Sequence, residues 1–523
     1  MSKTSFHDGR KRRQVGLCSG REMPVGLRGS STRLGDSSET APESSRKIRN
    51  GAIREASHLV RLPLSPRTSA LGALGTAFTL SACGPSGQGG VNGGPSESQR
   101  TAFPQVVYQG GPLLTAPKVV TVTFSGDALA GQLESFGQSV TASAWWDTVR
   151  HGYCAGSAGP CVGDGPSGSF VELPTAPAPT YSDSDRGGAS TLQSWLANAI
   201  TTGVLPGPDA NPVSNTLYVI YFPETTTVTL DDMTSCVNGG FDGYHGSMAM
   251  GAQQIVYAVV VECPPLPPSF PGAPQPTVLQ SATVAASHEI VEASTDPSVT
   301  QLAYYLDTTD PTNWGWMDIA GGGEVADLCV DPFALGQDET SSGAFTVQRI
   351  WSNANAASLL DPCNPIPDGE VYFNAAARQS VFVLDVGASA TFEVSAFSDG
   401  TMSDWTLSAA DWSDSVTTSY LSFSIAGGTE TDAGAEIQVN DGSTVQVTAT
   451  LLADPGMLTT HEADGVIVSA STGADGVPKA HWWPFIVMSP ADAADAGIGP
   501  TYRMNRWGNP SRVHRRGRRG LPR

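Results

Sequence analysis

The segment His288-Glu289-Ile290-Val291-Glu292, continued by Ala293-Ser294-Thr295-Asp296-Pro297, puts one imidazole and two carboxylates within five residues. On a helix, His288 and Glu292 lie one turn apart and face the same way. The pattern H-E-x-x-E differs at one position from H-E-x-x-H, in which the first and fifth residues bind zinc and the glutamate beside the first histidine acts as general base toward water. A carboxylate oxygen is an accepted zinc ligand, so Glu292 can stand where the second histidine does. These residue types point to metal chemistry, with His288 and Glu292 as ligands and Glu289 as the catalytic base. A five-residue match of this kind recurs by chance, and standing alone it reads as a solvated helix face.

The element that must carry the motif is well delimited. Thr277 and Gln280 form a T-x-x-Q capping box and Asp296-Pro297 supplies a stop, which predicts a helix over about 278–295. Ala282, Ala286, Ile290 and Ala293 fall on one stripe, while His288 and Glu292 share another with Val284, so the ligand candidates point together. Downstream, Gly323-Glu324-Val325-Ala326-Asp327-Leu328-Cys329 places Glu324 36 residues beyond His288. This stretch resembles the segment of thermolysin-like and neprilysin-like zinc peptidases in which a glutamate on a second helix is the third ligand and a following aspartate orients the first histidine. On that resemblance Glu324 binds metal and Asp327 accepts the other ring N–H of His288. The spacing between them is three here against the usual four, which still keeps both on one helical face. His245, in the Gly-rich loop Gly243-Tyr244-His245-Gly246, has three readings: a ligand in place of Glu324, a hydrogen-bond donor to the transition state, or a plain loop histidine. The aromatics of Asn313-Trp314-Gly315-Trp316-Met317-Asp318 read as core ahead of a substrate platform.

Charge and cysteine usage place this chemistry in a compartment. Residues 1–82 carry 14 Lys+Arg against 6 Asp+Glu, and residues 501–523 carry 8 Arg and no acid, which leaves 7 basic and 44 acidic residues between Cys83 and Pro500. Such an acidic body argues against nucleic acid as a partner. The 13-residue apolar run Ala70 to Ala82 follows Arg61 and Arg67 and ends in Leu80-Ser81-Ala82-Cys83, which resembles the lipobox of bacterial lipoproteins. At roughly 20 Å as a helix it is too short to span a bilayer and suits a signal peptide. Cys83 is therefore expected to carry lipid, residues 1–82 to be an over-extended start plus signal peptide, and the membrane to be a partner through that anchor. Excluding Cys18 and Cys83 leaves Cys154, Cys161, Cys236, Cys263, Cys329 and Cys363. An even number in an exported chain suggests disulfides, and of 15 pairings the sequential one closes the shortest loops.

Texture along the chain divides the rest. Residues 83–113 read as a flexible Gly/Ser/Pro tether. A first domain over 114–366 alternates apolar strands (Val119 to Phe124, Asn215 to Phe222, Gln254 to Val261) with helices, one running from Leu133 through Trp145-Trp146 and another from Thr191 to Ile200. From 370 to 492, short alternating runs such as Thr444-Val445-Gln446-Val447-Thr448 predict an all-β sandwich, an accessory module for binding or spacing. The arginine-rich end, 497–523, reads as a disordered tail.

Taken in order, Trp145-Trp146, Gly243-Tyr244-His245, His288 to Pro297, Gly315-Trp316-Met317-Asp318 and Glu324 to Cys329 resemble the phosphate-induced, EXORDIUM-like secreted proteins of plants and their bacterial relatives. Those carry HE-x-x-E-x-x-TDP, AWYD and EIADLC segments in the same order, and the similarity covers roughly residues 115–365. The resemblance implies an extracellular α+β zincin-like domain, a mixed sheet with an active-site helix. The expected function is an exported zinc metallopeptidase, lipid-anchored at the bacterial cell envelope or outer surface, that hydrolyses a peptide or cell-surface substrate. Two carboxylates and one imidazole leave such a centre near neutrality, so its water is less acidic than under a His₂Glu set and slow or absent turnover is expected. The rival is a non-catalytic binding, adhesion or cell-envelope protein with a structural ion, for which aspartates 296, 307, 310 and 318 could equally support calcium.

Overall fold

The computed structural model describes residues 102–498, apart from 185–189, 232, 238–239, 266–274, 299, 334, 414–417, 432–433, 459 and 474–475. The signal-like segment, Cys83, the tether as far as residue 101 and the basic tail beyond residue 500 lie outside the described residues.

The stretch 103–113, expected as the end of a flexible tether, is instead built into the fold. β1 (Val106–Tyr108) pairs antiparallel with Tyr304–Leu306. Phe103 enters an aromatic cluster with Trp316, Trp351 and Trp483. Burying a phenyl ring against three indoles outweighs the loop-forming composition around it.

The apolar, β-branched runs form a five-stranded sheet. β2 (Lys118–Phe124) leads into α1 (Ala130–Ser139), a 3₁₀ turn and α2 (Ala144–Val149). This is where one continuous helix was expected; Ser143 interrupts it by adopting extended backbone and accepting a hydrogen bond from the Trp146 N–H at its own Oγ. β3 (Ser169–Leu173), α3 (Thr191–Thr201), β4 (Val213–Phe222), β5 (Gly243–Met250) and β6 (Gln253–Val261) follow. The strand order is β3-β2-β4-β6-β5, with the first four parallel and β5 antiparallel at the edge beside β6. Parallel strands buried on both faces read as continuous apolar runs, which is the texture of β4 and β6. α1 and the motif helix α4 (Val278–Thr295) cover one face and α3 the other. α4 has the expected bounds, and both halves of its capping box are made: Thr277 Oγ1 accepts from the Gln280 N–H, and Gln280 Oε1 accepts from the Thr277 N–H. Among the described residues no helix is long and apolar enough to cross a membrane.

After α5 (Trp314–Ala320) and β7 (Phe345–Gln348), the chain enters two packed sheets. One has four strands in the order Phe373–Ala377, Ser389–Ser398, Thr444–Leu451, Leu421–Ile425. The other has six, and its strand Pro478–Met488 pairs antiparallel with Ala463–Thr472 and parallel with Val381–Val383. The whole is mixed α/β and rich in strands. The two regions share a core: Trp316 of α5 packs on Trp482 and Trp483 at ring-centroid distances of 4.8 and 5.3 Å. Three disulfides, Cys154–Cys161, Cys236–Cys263 and Cys329–Cys363, are the sequential pairs expected, and they fit an extracytoplasmic location.

At the end of β6, the Glu262 carboxyl is pushed up to about 8, first by burial and then by the charge of Asp127. A carboxyl raised in the folded protein contributes stability at low pH and loses it as pH climbs from its ordinary 4.5 toward about 8. Urea midpoints should therefore decline between about pH 5 and about pH 8, and Glu262→Gln should flatten that decline. For the shared core, Trp316→Ala should cost about 3 to 5 kcal/mol by cavity formation. Far-UV circular dichroism and tryptophan fluorescence should report one coincident unfolding transition; two separate ones would show regions that do not share this core.

Candidate metal centre

Six ionisable side chains converge beneath the middle of α4, each no more than 4% exposed as a residue: His245, His288, Glu289, Glu292, Glu324 and Asp327. The helix supplies three of them. His288 and Glu292, one turn apart, meet with 3.1 Å between Nε2 and Oε2. His245 comes from β5, opposite Ala258 of β6, and so stands on an edge strand and not in the Gly-rich loop expected there. Its glycines mislead because strands disfavour them, yet Gly243 is needed for contact: a Cβ there would lie 3.1 Å from the Val259 carbonyl oxygen and 3.3 Å from Glu289 Cγ.

Glu324 and Asp327 come from the turn after α5. Glu324 precedes a 3₁₀ turn over Asp327–Cys329, so it does not ride on a second helix as expected. The cause is the preceding glycine run. Gly321 ends α5 in the left-handed conformation, at φ 84°, and a Cβ on Gly322 would sit 1.9 Å from Asp327 Oδ2, so the backbone folds tightly around that carboxylate. Asp327 Oδ2 then accepts the Glu324 N–H at 3.1 Å.

The hydrogen bonds fix which atoms face the centre. Gln348, at the end of β7, donates its Nε2 amide to the Ala326 carbonyl at 2.7 Å, which turns its Oε1 toward His288. His288 Nδ1–H donates to that oxygen at 2.8 Å, leaving Nε2 to face Glu292 and, at 3.7 Å, Asp327 Oδ1. Asp327 therefore lies on the metal-facing side of His288, and the role of accepting the other ring N–H, expected of Asp327, belongs to Gln348. Nothing in the sequence marked Gln348, because it sits 60 residues from His288 on a strand of its own. Glu292 Oε1 is held by the N–H groups of Ala326 and Asp327 at 3.2 and 3.1 Å, which frees Oε2 for the centre. His245 Nε2 donates to the Asp296 carbonyl at 3.1 Å, and its Nδ1 lies 3.3 Å from Glu289 Oε2 and 3.8 Å from Glu292 Oε2.

Two sets of donors are close enough to bind one ion each: His245, Glu292 and Glu324, and His288, Glu292 and Asp327. Glu324 thus falls with His245, not with His288 as expected, and Glu292 belongs to both. The donor chemistry fits a divalent metal, since imidazole and carboxylate are its ordinary ligands. Asp327 Oδ1 adds a second indication, being a buried carboxylate oxygen without a hydrogen bond. Electrostatics point the same way. Burial disfavours charged imidazole, yet Glu292 and Glu289 hold His288 well above its ordinary pKa, and the hydrogen bond and charge of Glu289 with the charges of Glu292 and Asp296 raise His245. Burial first, then the charge of Glu292, drives Asp327 well above the carboxylate range. Burial likewise raises Glu289, whereas the charge and hydrogen bond of His288 overcome it at Glu292 and lower that carboxyl. Cations are in demand at this point of the fold.

Three of the four aspartates offered for calcium make hydrogen bonds within their own part of the chain. Asp307 and Asp310 each accept the N–H and hydroxyl of a threonine two residues on, closing their own turns. Asp296 Oδ1 accepts the Ala303 N–H. Trp145 belongs to the support of the centre, its Nε1–H donating to the Gln348 carbonyl at 2.9 Å.

No protein-family model matches the chain, and no curated protein matches it in sequence. Among solved structures, it is similar to a conjugative transposon lipoprotein from Bacteroides eggerthii DSM 20697, at 10% identity over 22% of this chain and 95% of that one, with a TM-score of 0.17. It is also similar to a nucleoside hydrolase-related hypothetical protein from Saccharophagus degradans, at 8% identity over 72% of this chain and 100% of the other, with a TM-score of 0.22. Scores this low carry no argument about fold or function.

Replacing Gln348 by leucine should leave the His288 Nδ1–H without its acceptor and the ring free to turn. Metal affinity should fall about 10- to 100-fold, read by competition with a chromophoric chelator. Affinity equal to wild type would show that Gln348 does not position His288.

Proposed function

We propose that this is an exported zinc protein, lipid-anchored through Cys83, with a zincin-like site related to the EXORDIUM-like proteins and able to hydrolyse peptide bonds. The observation that carries the reading is the burial together of two imidazoles and three glutamates plus an aspartate, in donor sets that suit a divalent ion. Support also comes from the mixed sheet, whose antiparallel edge strand β5 runs beside the motif helix and contributes His245. Bound zinc would polarise a scissile carbonyl and make water a better nucleophile. The chain's own residues would do the rest. Gln348 keeps Nδ1 of His288 protonated, so that Nε2 offers its lone pair. The N–H groups of Ala326 and Asp327 clamp Glu292. Glu289, next to His288 and 3.3 Å from His245 Nδ1, would take the proton from water and return it to the leaving amine.

One observation favours a second reading. All six side chains are at least nine-tenths buried, which suits an ion that ties α4 to β5 and to the turn at 324–327 in a non-catalytic envelope protein.

Metal analysis of the purified protein decides the first step: zinc should be present and its content should fall in His288→Ala, whereas a metal-free, fully folded wild type would sink both readings. Cleavage of a broad peptide library then separates them. Wild type should cut where Glu289→Gln, still metal-loaded, does not; identical behaviour of the two favours the structural ion.

A further inference from the structure

We propose that the centre holds two divalent ions bridged by Glu292, one bound by His245 and Glu324 and the other by His288 and Asp327. This rests on the metal-centre reading above and deepens it from one ion to two. The geometry carries it. Each donor set is complete at three residues, with ligand atoms within 4.8 Å of one another, and Glu292 is the residue they have in common. Its Oε1 is turned aside to the backbone, while its Oε2 sits between the two imidazoles, 3.1 Å from His288 Nε2 and 3.8 Å from His245 Nδ1. The outer ligands separate cleanly. Glu324 Oε1 lies on the His245 side, 3.6 Å from Nε2, the nitrogen that donates to the Asp296 carbonyl, and Asp327 Oδ1 lies on the His288 side, 3.7 Å from Nε2. The Asp327 oxygen that faces the second set is the one without a hydrogen bond.

Charge balance agrees. One divalent ion among four buried carboxylates leaves two negative charges in a region of low polarity, an expensive arrangement, whereas two ions compensate all four with both imidazoles neutral. Carboxylate-bridged pairs of this kind sit ~3.5 to 4 Å apart and clamp both the attacking and the leaving oxygen of a hydrolysis. Glu289, on neither donor set, remains the base. The pair would act on a substrate whose reacting carbon or phosphorus carries oxygens for two metals, an amide or an ester of an acid.

The test is stoichiometry on the full chain carrying Cys18→Ser and Cys83→Ser, so that loose thiols do not add to the count. After chelation and reloading with zinc, mass spectrometry of the metal should find about two ions per chain. Asp327→Asn and Glu324→Gln should each lower this to about one, and so should Glu292→His, which keeps a ligand at the same helical turn but cannot bridge. A second measurement needs no variant: with cobalt(II), the electron paramagnetic resonance signal per cobalt should fall as the second equivalent is added, because bridged ions couple magnetically. One ion per chain, with a constant signal per cobalt up to saturation, overturns the pair and leaves the single-metal reading standing. No bound ion overturns both.

Discussion

The burial of charge beneath α4 is the constraint on which the rest of this molecule turns. Two imidazoles and four carboxylates occupy a site that water scarcely reaches, and groups of this kind are tolerated inside proteins when hydrogen bonds and counter-charges satisfy them. The fold supplies the hydrogen bonds one at a time. Backbone N–H groups of residues 326 and 327 serve Glu292, that of Glu324 serves Asp327, Gln348 serves His288, and the Asp296 carbonyl serves His245. They come from three segments, the turn after α5, β7 and the end of α4, so the site can exist when these and β5 are all in place.

That dependence explains the architecture around it. The turn 324–329 has no regular structure of its own beyond a single 3₁₀ turn, and it is held from both sides. The Trp351 N–H donates to the Val325 carbonyl at 3.0 Å, and Cys329 is joined to Cys363. Trp351 in turn lies edge-on to Phe103 and Trp316, and Trp316 reaches the tryptophans of the second region. An aromatic cluster at the junction of two regions thus fixes the backbone that clamps a metal-ligand candidate. The β-rich region is, in this sense, part of the scaffold of the centre as well as an accessory module.

What could be read in the sequence follows from how far apart the interacting residues are. The limits of α4 were legible because a capping box and an Asp-Pro stop act within a few residues. The three disulfides were legible because short loops are the easiest to close, and the parallel strands because burial on both faces leaves an unbroken apolar run. The strand carrying His245 was hidden by its glycines, whose small size is dictated by neighbours on other elements: the Val259 carbonyl and Glu289 at Gly243, and the Tyr257 ring at Gly246. Gln348 was invisible, since an amide on a β-strand has no pattern that announces a histidine sixty residues away. The grouping of Glu324 with His245 also required the three-dimensional path of the turn, which the family resemblance had drawn as a helix.

The fifth position of the motif, Glu292, joins the helix, the turn after α5 and both imidazoles. A histidine there presents a single lone pair to a metal, because its other ring nitrogen carries a proton and donates it to a neighbouring acceptor. A glutamate presents two oxygens, and in this fold one of them is already held by two backbone N–H groups. The other is then oriented by the backbone itself, without a further side chain, toward both imidazoles at once. The departure from H-E-x-x-H is accordingly what allows Glu292 to belong to two donor sets, and a histidine placed on β5 is what gives the second set its imidazole.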